Sequence, residues 1–174
     1  NRFSMPTSEL TTHGEIGISN PRIAFIGGIS ARNFGDIYGG KNTGLQNPTG
    51  YSERSYHVKT KYRLSSYSNF TFLHQALRQR HVPIYHKIVL ENYAKYHIES
   101  QEKAISYVQW DFSHPGKRFN TFRINLGHQY NLEYRKIQKQ DSDYLIEEKD
   151  RINTYSVYAL MKTSVLPNYN IISG

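Results

Sequence analysis

Apolar and polar residues alternate along much of this 174-residue chain. From Asn120 to Asn131, Phe122, Ile124, Leu126, His128 and Tyr130 fall on one face. Thr121, Arg123, Asn125, Gly127 and Gln129 fall on the other. A period of two is the signature of a half-exposed strand. A second case runs from Asn153 to Val165. Tyr155, Val157, Ala159, Met161 and Val165 oppose Thr154, Ser156, Lys162 and Ser164, with Tyr158 and Leu160 as exceptions. A third runs from Ser55 to Leu64, where Tyr56, Val58, Tyr62 and Leu64 oppose His57, Lys59, Lys61 and Arg63. That basic face must meet water. Its apolar partner face meets either a second sheet or lipid. Soluble sandwiches alternate in the same way, so the pattern alone leaves both open.

Connection lengths narrow the choice. The pattern predicts strands near residues 12–19, 22–34, 54–65, 69–79, 103–113, 118–131, 152–165 and from 169 onward. Short joints fall at Ser19-Asn20-Pro21, Ser65-Ser66-Tyr67-Ser68, Ser113-His114-Pro115-Gly116 and Leu166-Pro167-Asn168. Each contains turn-forming residues. Long joints fall at 35–53, 80–102 and 132–151. Outer-membrane barrels alternate short periplasmic turns with long extracellular loops in this way. Strands of roughly 10–14 residues exceed the ~9–11 a tilted crossing needs. The expected fold is all-β: an antiparallel up-and-down meander of about eight strands, part of a transmembrane β-barrel.

Composition agrees. Hydrophobic residues make up 37%, low for a packed globular core, yet there are 15 Tyr. Barrels need apolar residues on one strand face only, and they concentrate Tyr and Trp in interfacial girdles. The net charge is +8. Its cations are scattered over Arg54, Lys59, Lys61, Arg63, Arg78, Arg80, Lys117, Arg118 and Arg123, with no dense basic run, so nucleic acid is not an expected partner. Cysteine is absent, which removes disulfide frameworks and cysteine-based metal sites. No apolar run approaches the ~18 residues of a membrane helix. A membrane location therefore requires a barrel. The opening Asn1-Arg2-Phe3-Ser4-Met5-Pro6 has no apolar signal core, which leads to the expectation of a processed chain or a fragment.

The three long joints differ in chemistry. The first is rich in Gly and Asn; its Gly35-Asp36-Ile37-Tyr38-Gly39-Gly40-Lys41-Asn42 nearly fits a phosphate-binding loop. That motif must open a helix, and Thr43, Gly44, Asn47, Pro48 and Gly50 argue against one. The second carries a weak helical spacing in Ile88, Val89, Leu90, Tyr93 and Tyr96. It also holds His81, His86 and His97 near Arg80, Tyr85 and Lys87. Imidazole and phenolate can ligate iron or haem. Arg80, His81, Tyr85, His86 and Tyr93 are therefore the candidate ligand-binding residues, against a plainer reading of loop polarity and aromatic packing. The third joint is highly charged, from Glu133 and Arg135 to Lys149 and Asp150, and reads as a solvated loop tip. Nothing there buries Asp141, Asp143, Glu147 or Glu148, so nothing raises a carboxyl pKa for acid catalysis. No Ser has nucleophile-elbow spacing. His128 reads as an interfacial or packed residue near a strand end. Asn69-Phe70-Thr71 matches a glycosylation sequon by chance at a strand start. No catalytic residue, metal or cofactor is assigned, and enzymatic activity is not expected.

Two stretches carry a family resemblance. Asn33-Phe34-Gly35-Asp36-Ile37, continuing to Pro48-Thr49-Gly50-Tyr51-Ser52-Glu53-Arg54, resembles the first large extracellular loop and following strand of TonB-dependent receptors. Leu73-His74-Gln75 with Arg80-His81-Val82-Pro83-Ile84-Tyr85-His86-Lys87 is similar to their segment Asp-Val-Pro-Arg-Tyr-Asp-Arg, keeping Val82, Pro83 and Tyr85. Leu90-Glu91-Asn92-Tyr93-Ala94 looks like Bacteroidetes-type members. The resemblance implies a bacterial outer-membrane barrel of about 22 strands closed by an N-terminal plug domain. It implies uptake of a scarce ligand (iron-siderophore, haem or cobalamin). The implied partners are outer-membrane lipid, the protein's own plug domain, the TonB system acting through an N-terminal part, and a small-molecule or metal-chelate ligand. With no plug or TonB box and too few strands, and ending at Ile171-Ile172-Ser173-Gly174 as if in mid-strand, residues 1–174 are expected to be an early part of such a barrel. Lys59, Lys61, Arg63, Arg123 and Gln129 would face the lumen. Tyr56, Tyr62, Phe122, Leu126, Tyr155 and Val157 would face lipid. The alternatives are a complete small eight-stranded outer-membrane barrel, adhesive or structural, and a soluble all-β binding module or hydrolase domain.

Overall fold

Every alternating stretch is a strand, and each strand pairs antiparallel with the next long one. A computed structural model of the chain describes residues 2–4, 8–40, 42–114, 119–166 and 169–173. The strands are β1 (Arg2–Ser4), β2 (Glu9–Ser19), β3 (Ile23–Phe34), β4 (Ile37–Gly39), β5 (Gly44–Gln46), β6 (Tyr51–Ser65), β7 (Ser68–Pro83), β8 (Tyr93–Ser113), β9 (Phe119–Lys139), β10 (Ile146–Leu166) and β11 (Tyr169–Ser173). One short helix, α1 (Tyr85–Leu90), precedes β8. Nine strands form one antiparallel sheet in the order β1-β2-β3-β6-β7-β8-β9-β10-β11, and β4-β5 is a separate hairpin. The all-β antiparallel meander is as expected, with one strand more than about eight. Among the described residues the sheet does not close: β1 pairs only with β2, and β11 only with β10.

The register sorts the side chains into two faces. One rung reads Ile18, Phe25, Thr60, Phe72, Val108, Leu126, Val157 across seven strands. Towards the short turns the same face carries the rung Ile23, Tyr62, Phe70, Trp110, Ile124, Ala159. The opposite face carries Lys61, Thr71, Gln109, Asn125, Tyr158. Tyr56, Tyr62, Phe122, Leu126, Tyr155 and Val157 share one face, and Lys59, Lys61, Arg63, Arg123 and Gln129 share the other, as the alternation predicts.

No large hydrophobic residue is buried among the described residues; the buried ones are the polar Glu53, Ser68, Thr71 and Ser100 and the glycines Gly27 and Gly28. Ile16 is 60%, Leu126 51%, and Tyr155 and Val157 77% exposed. A water-soluble domain of this length would bury an apolar core as its main stabilisation. Here the sheet is a single layer, and its apolar face is uncovered.

The strands outrun the sequence pattern. β7 continues to Pro83, β8 begins at Tyr93, β9 continues to Lys139 and β10 begins at Ile146. The joints expected at 80–102 and 132–151 therefore shrink to 84–92 and 140–145. Alternation marks a strand only where one face is apolar; past that point the ladder is held by charged cross-strand pairs. Arg135 opposes Glu148, and Lys136 opposes Glu147. Most of the charged 132–151 stretch is thus a paired ladder, and only its tip is a loop. The weak helical spacing is realised at Ile88, Val89 and Leu90 in α1, while Tyr93 and Tyr96 lie in β8.

Turn chemistry is local and specific. The Asn20 side-chain oxygen accepts from the backbone N–H of Arg22 and Ile23, both at 2.8 Å, closing the β2–β3 turn. The expected turns at Pro115-Gly116 and Pro167-Asn168 lie outside the described residues. The near-phosphate-loop segment forms the β4-β5 hairpin and opens no helix; its Lys41 lies outside the described residues. Asp36 organises that loop, accepting from the N–H of Thr49 at 2.7 Å and of Gly50 at 2.9 Å, and from the Asn47 amide. A Cβ at Gly50 would stand 2.9 Å from the Phe34 carbonyl oxygen, so the loop closes this tightly only on glycine.

Candidate binding surfaces at the long-loop end

The polar face is densely hydrogen-bonded where the long loops emerge. One rung places Arg32, Glu53, Gln79, Gln101, Glu133 and Asp150 side by side across six strands. Glu53 is 7% exposed. A buried carboxylate is tolerated only when paired. Arg32 Nη1 reaches it at 3.1 Å, and Gln79 donates to its other oxygen at 2.8 Å. Gln101 donates to Glu133 at 3.1 Å. Arg135 donates to Glu133 and also reaches Glu148 at 3.3 Å. Nearer the short turns, Asp111 accepts from Arg123 at 2.5 Å and from Gln109 at 2.6 Å.

On the apolar face the greasy rungs end at a charged one: Arg54, Arg78, Glu102, Leu132, Arg151. Beyond it lies a small polar cluster. Glu99 is the extra residue of a bulge between β8 and β9. Its carboxylate meets His81 Nε2 at 3.1 Å, His97 Nε2 at 3.0 Å and Lys136 Nζ at 3.7 Å. Burial opposes the Glu99 charge, but the His97 hydrogen bond and the Lys136 charge outweigh it and hold the carboxyl below its ordinary range. His81 adopts φ 54°, a left-handed conformation uncommon for a residue with a side chain. Lys136 also approaches Glu147 at 3.9 Å and sits 5.5 Å over the Tyr134 ring.

The five sequence-predicted residues are partly brought together. Arg80 lies on β7 opposite Ser100, exposed on the apolar face. His81 is tied to Glu99 and, through it, to His97. Tyr85 and His86 lie on α1, half-buried and exposed respectively. The start of α1 is pinned to β8 by the Ile84 N–H on the Tyr96 carbonyl at 2.9 Å. Tyr93 opens β8 and packs edge-on against Tyr96, centroids 5.1 Å apart. Among the described residues, no group of three or more His, Cys, Asp or Glu is arranged to hold a metal ion. Sequence reasoning missed Glu99, Lys136, Glu53, Gln79 and Gln101, because most sat in stretches read as loop. Charge complementarity between 133–136 and 147–150 was the available signal.

His128 is mid-strand, not near a strand end: it stacks on Tyr155 at 4.8 Å and hydrogen-bonds Asn153 at 3.0 Å. At the short-turn end of the apolar face, Trp110 donates to Ser68 at 2.8 Å and meets Phe122 edge-on at 5.7 Å. Amphipathic rings anchored by their polar atoms suit a membrane interface. No helix among the described residues is long and apolar enough to cross a membrane, which says nothing of strands. No protein-family model matches the chain, and neither does any curated protein or solved structure.

Proposed function

We propose that the chain is part of the wall of an outer-membrane β-barrel, belonging to a TonB-dependent receptor that takes up a scarce ligand such as an iron-siderophore, haem or cobalamin. The observation that carries the membrane reading is the uncovered apolar face. From Phe122 to Tyr130 it spans nine residues, roughly 30 Å at ~3.4 Å per residue. Tilted by about 35–45°, that length projects to roughly 21–25 Å, against the ~25 Å apolar band of such barrels. Aromatic rings at Trp110 and Phe122 border it on one side and the Arg54–Arg78 rung on the other. Short joints at one end and longer ones at the other fit periplasmic turns and extracellular loops. Among the described residues β1 pairs only with β2 and β11 only with β10, an open sheet that supports a stretch of wall over a small closed barrel.

The receptor reading rests on the resemblance of the Asn33–Arg54 and Arg80–Lys87 segments. In that role the chain binds and does not break bonds. Of the five candidate residues, His81, Tyr85, His86 and Tyr93 would contact ligand at the cell surface, whereas Arg80 lies on the apolar face; the polar face would meet plug or water. The test of the membrane reading is dilution from denaturant into phosphatidylcholine vesicles, followed by flotation. Co-flotation with protease-protected strands is expected. A monodisperse, folded monomer in detergent-free buffer contradicts it. The test of the receptor reading is binding of ferric siderophores, haemin and cobalamin to the refolded chain. Loss of binding in His81→Ala and Tyr93→Ala is expected; binding of none of the three, or unchanged binding in both variants, contradicts it.

A further inference from the structure

The charged rung that ends the apolar face has an imbalance. Arg54 and Arg78 are direct register partners on β6 and β7. Like charges placed opposite each other across a sheet destabilise the pairing. Arg78 has a partner: its Nε lies 3.0 Å from Glu102 and 3.2 Å from Ser100. Arg54 has no carboxylate partner among the described residues. Neither has Arg80, two residues beyond Arg78 on the same face of β7. All three side chains are exposed. Across β6 to β8, the guanidinium groups of Arg54, Arg78 and Arg80 thus share the single Glu102 carboxylate on these two rungs.

Beside this patch lies a depression of about 720 Å³. Its floor is made of small residues, Gly14, Ala31, Ala76 and Ala104, and its walls include Tyr56 and Tyr130. Arg54, Arg78 and Glu102 line it too. Small residues flanked by aromatic rings leave a slot on the face that otherwise presents Ile, Phe, Leu and Val. Guanidinium groups bind phosphate in a bidentate fork. A depression lined by small residues and a cluster of guanidinium groups therefore lie next to each other.

We infer that this surface binds a phosphate-bearing anionic lipid, with the headgroup phosphate on Arg54, Arg78 and Arg80 and an acyl chain over Ala76 and Ala104. The inference rests on the membrane reading above and adds a lipid class and a place to it. The phosphate relieves the Arg54–Arg78 opposition, which no protein carboxylate fully offsets. Such a lipid would rim the wall where the apolar band gives way to the longer loops.

Native mass spectrometry of the chain, refolded into neutral detergent and offered phosphatidic acid, phosphatidylcholine or inorganic phosphate, tests it. About tenfold stronger retention of phosphatidic acid than of phosphatidylcholine is expected, equivalent to ~1.4 kcal/mol. Arg54→Gln with Arg80→Gln should abolish that preference, since neither side chain holds an ion pair the fold needs. Ala76→Leu should weaken retention of long-chain phosphatidic acid and leave the strand circular dichroism unchanged. Equal retention of both lipids, or an unchanged preference in the double variant, overturns the inference. So does full competition by inorganic phosphate, which would indicate an anion site without a lipid slot, or dimerisation that masks the slot. Flotation on phosphatidylcholine vesicles separates the two failures. A chain that floats without lipid preference sinks only this inference; a chain that does not float sinks the membrane reading with it.

Discussion

Leu126 on β9 and Val157 on β10 lie directly opposite each other, and both are more than half exposed. Among the described residues no second layer covers either of them. Their rung continues through Val108, Phe72, Thr60, Phe25 and Ile18. Beside Leu126 in sequence, Asn125 takes a hydrogen bond network on the other face, its amide donating to Gln109 at 3.4 Å. On the proposed reading, one residue step separates lipid from water.

That step predicts a large asymmetry in tolerance to charge. Leu126 is the middle apolar position between Phe122 and Tyr130. Leu126→Arg should cost about 2–4 kcal/mol in vesicles, as a charge at the bilayer midplane does, and Asn125→Arg much less. Urea titration of the refolded variants in phosphatidylcholine vesicles measures both.

Asp36 should give the first long loop an acid-sensitive lock. Backbone N–H groups of Thr49 and Gly50, with the Asn47 amide, hold its carboxyl below the ordinary aspartate range. A lowered folded-state pKa means the carboxylate stabilises the closed loop fully above the unfolded value. That contribution is lost as pH falls from there through the lowered folded value. Exchange protection of the Thr49 and Gly50 amides should therefore persist at neutral pH and fall in strong acid. Asp36→Ala should show reduced protection already at neutral pH. An unchanged profile in that variant would remove Asp36 from this role.

Arg135 bridges Glu133, Glu148 and Asp150 across the β9–β10 extension. Exposed pairs of this kind are worth about 0–1 kcal/mol each and weaken with salt. Arg135→Gln should leave the unfolding midpoint nearly unchanged but speed proteolysis at residues 140–145. Added salt should speed cleavage of the unsubstituted chain in the same direction.

The sequence was most legible where a strand has one apolar and one polar face. The stretches from Asn120 to Asn131 and from Asn153 to Val165 could be assigned to strands from alternation alone, and they lie within β9 and β10 respectively. It was least legible where both faces are polar. Glu133, Arg135, Glu148 and Asp150 look like a solvated tip until their cross-strand partners are known, and the register is a long-range property. The same holds for Glu99: its role depends on a bulge that brings His81, His97 and Lys136 around it, and no spacing rule anticipates that. The pairing of Arg54 with Arg78 is likewise invisible until β6 and β7 are in register.

Cysteine is absent from the chain, so single thiols can be introduced without background. The most direct test of the membrane wall compares Leu126→Cys with Asn125→Cys in two ways: reactivity towards a water-soluble maleimide after refolding into vesicles, and lipid-phase quenching of a fluorophore attached to the thiol in denaturant before refolding. The lipid-facing assignment predicts a Leu126→Cys thiol shielded from the maleimide and strongly quenched from the lipid phase, and the reverse for Asn125→Cys. Equal maleimide reactivity at the two positions would contradict it.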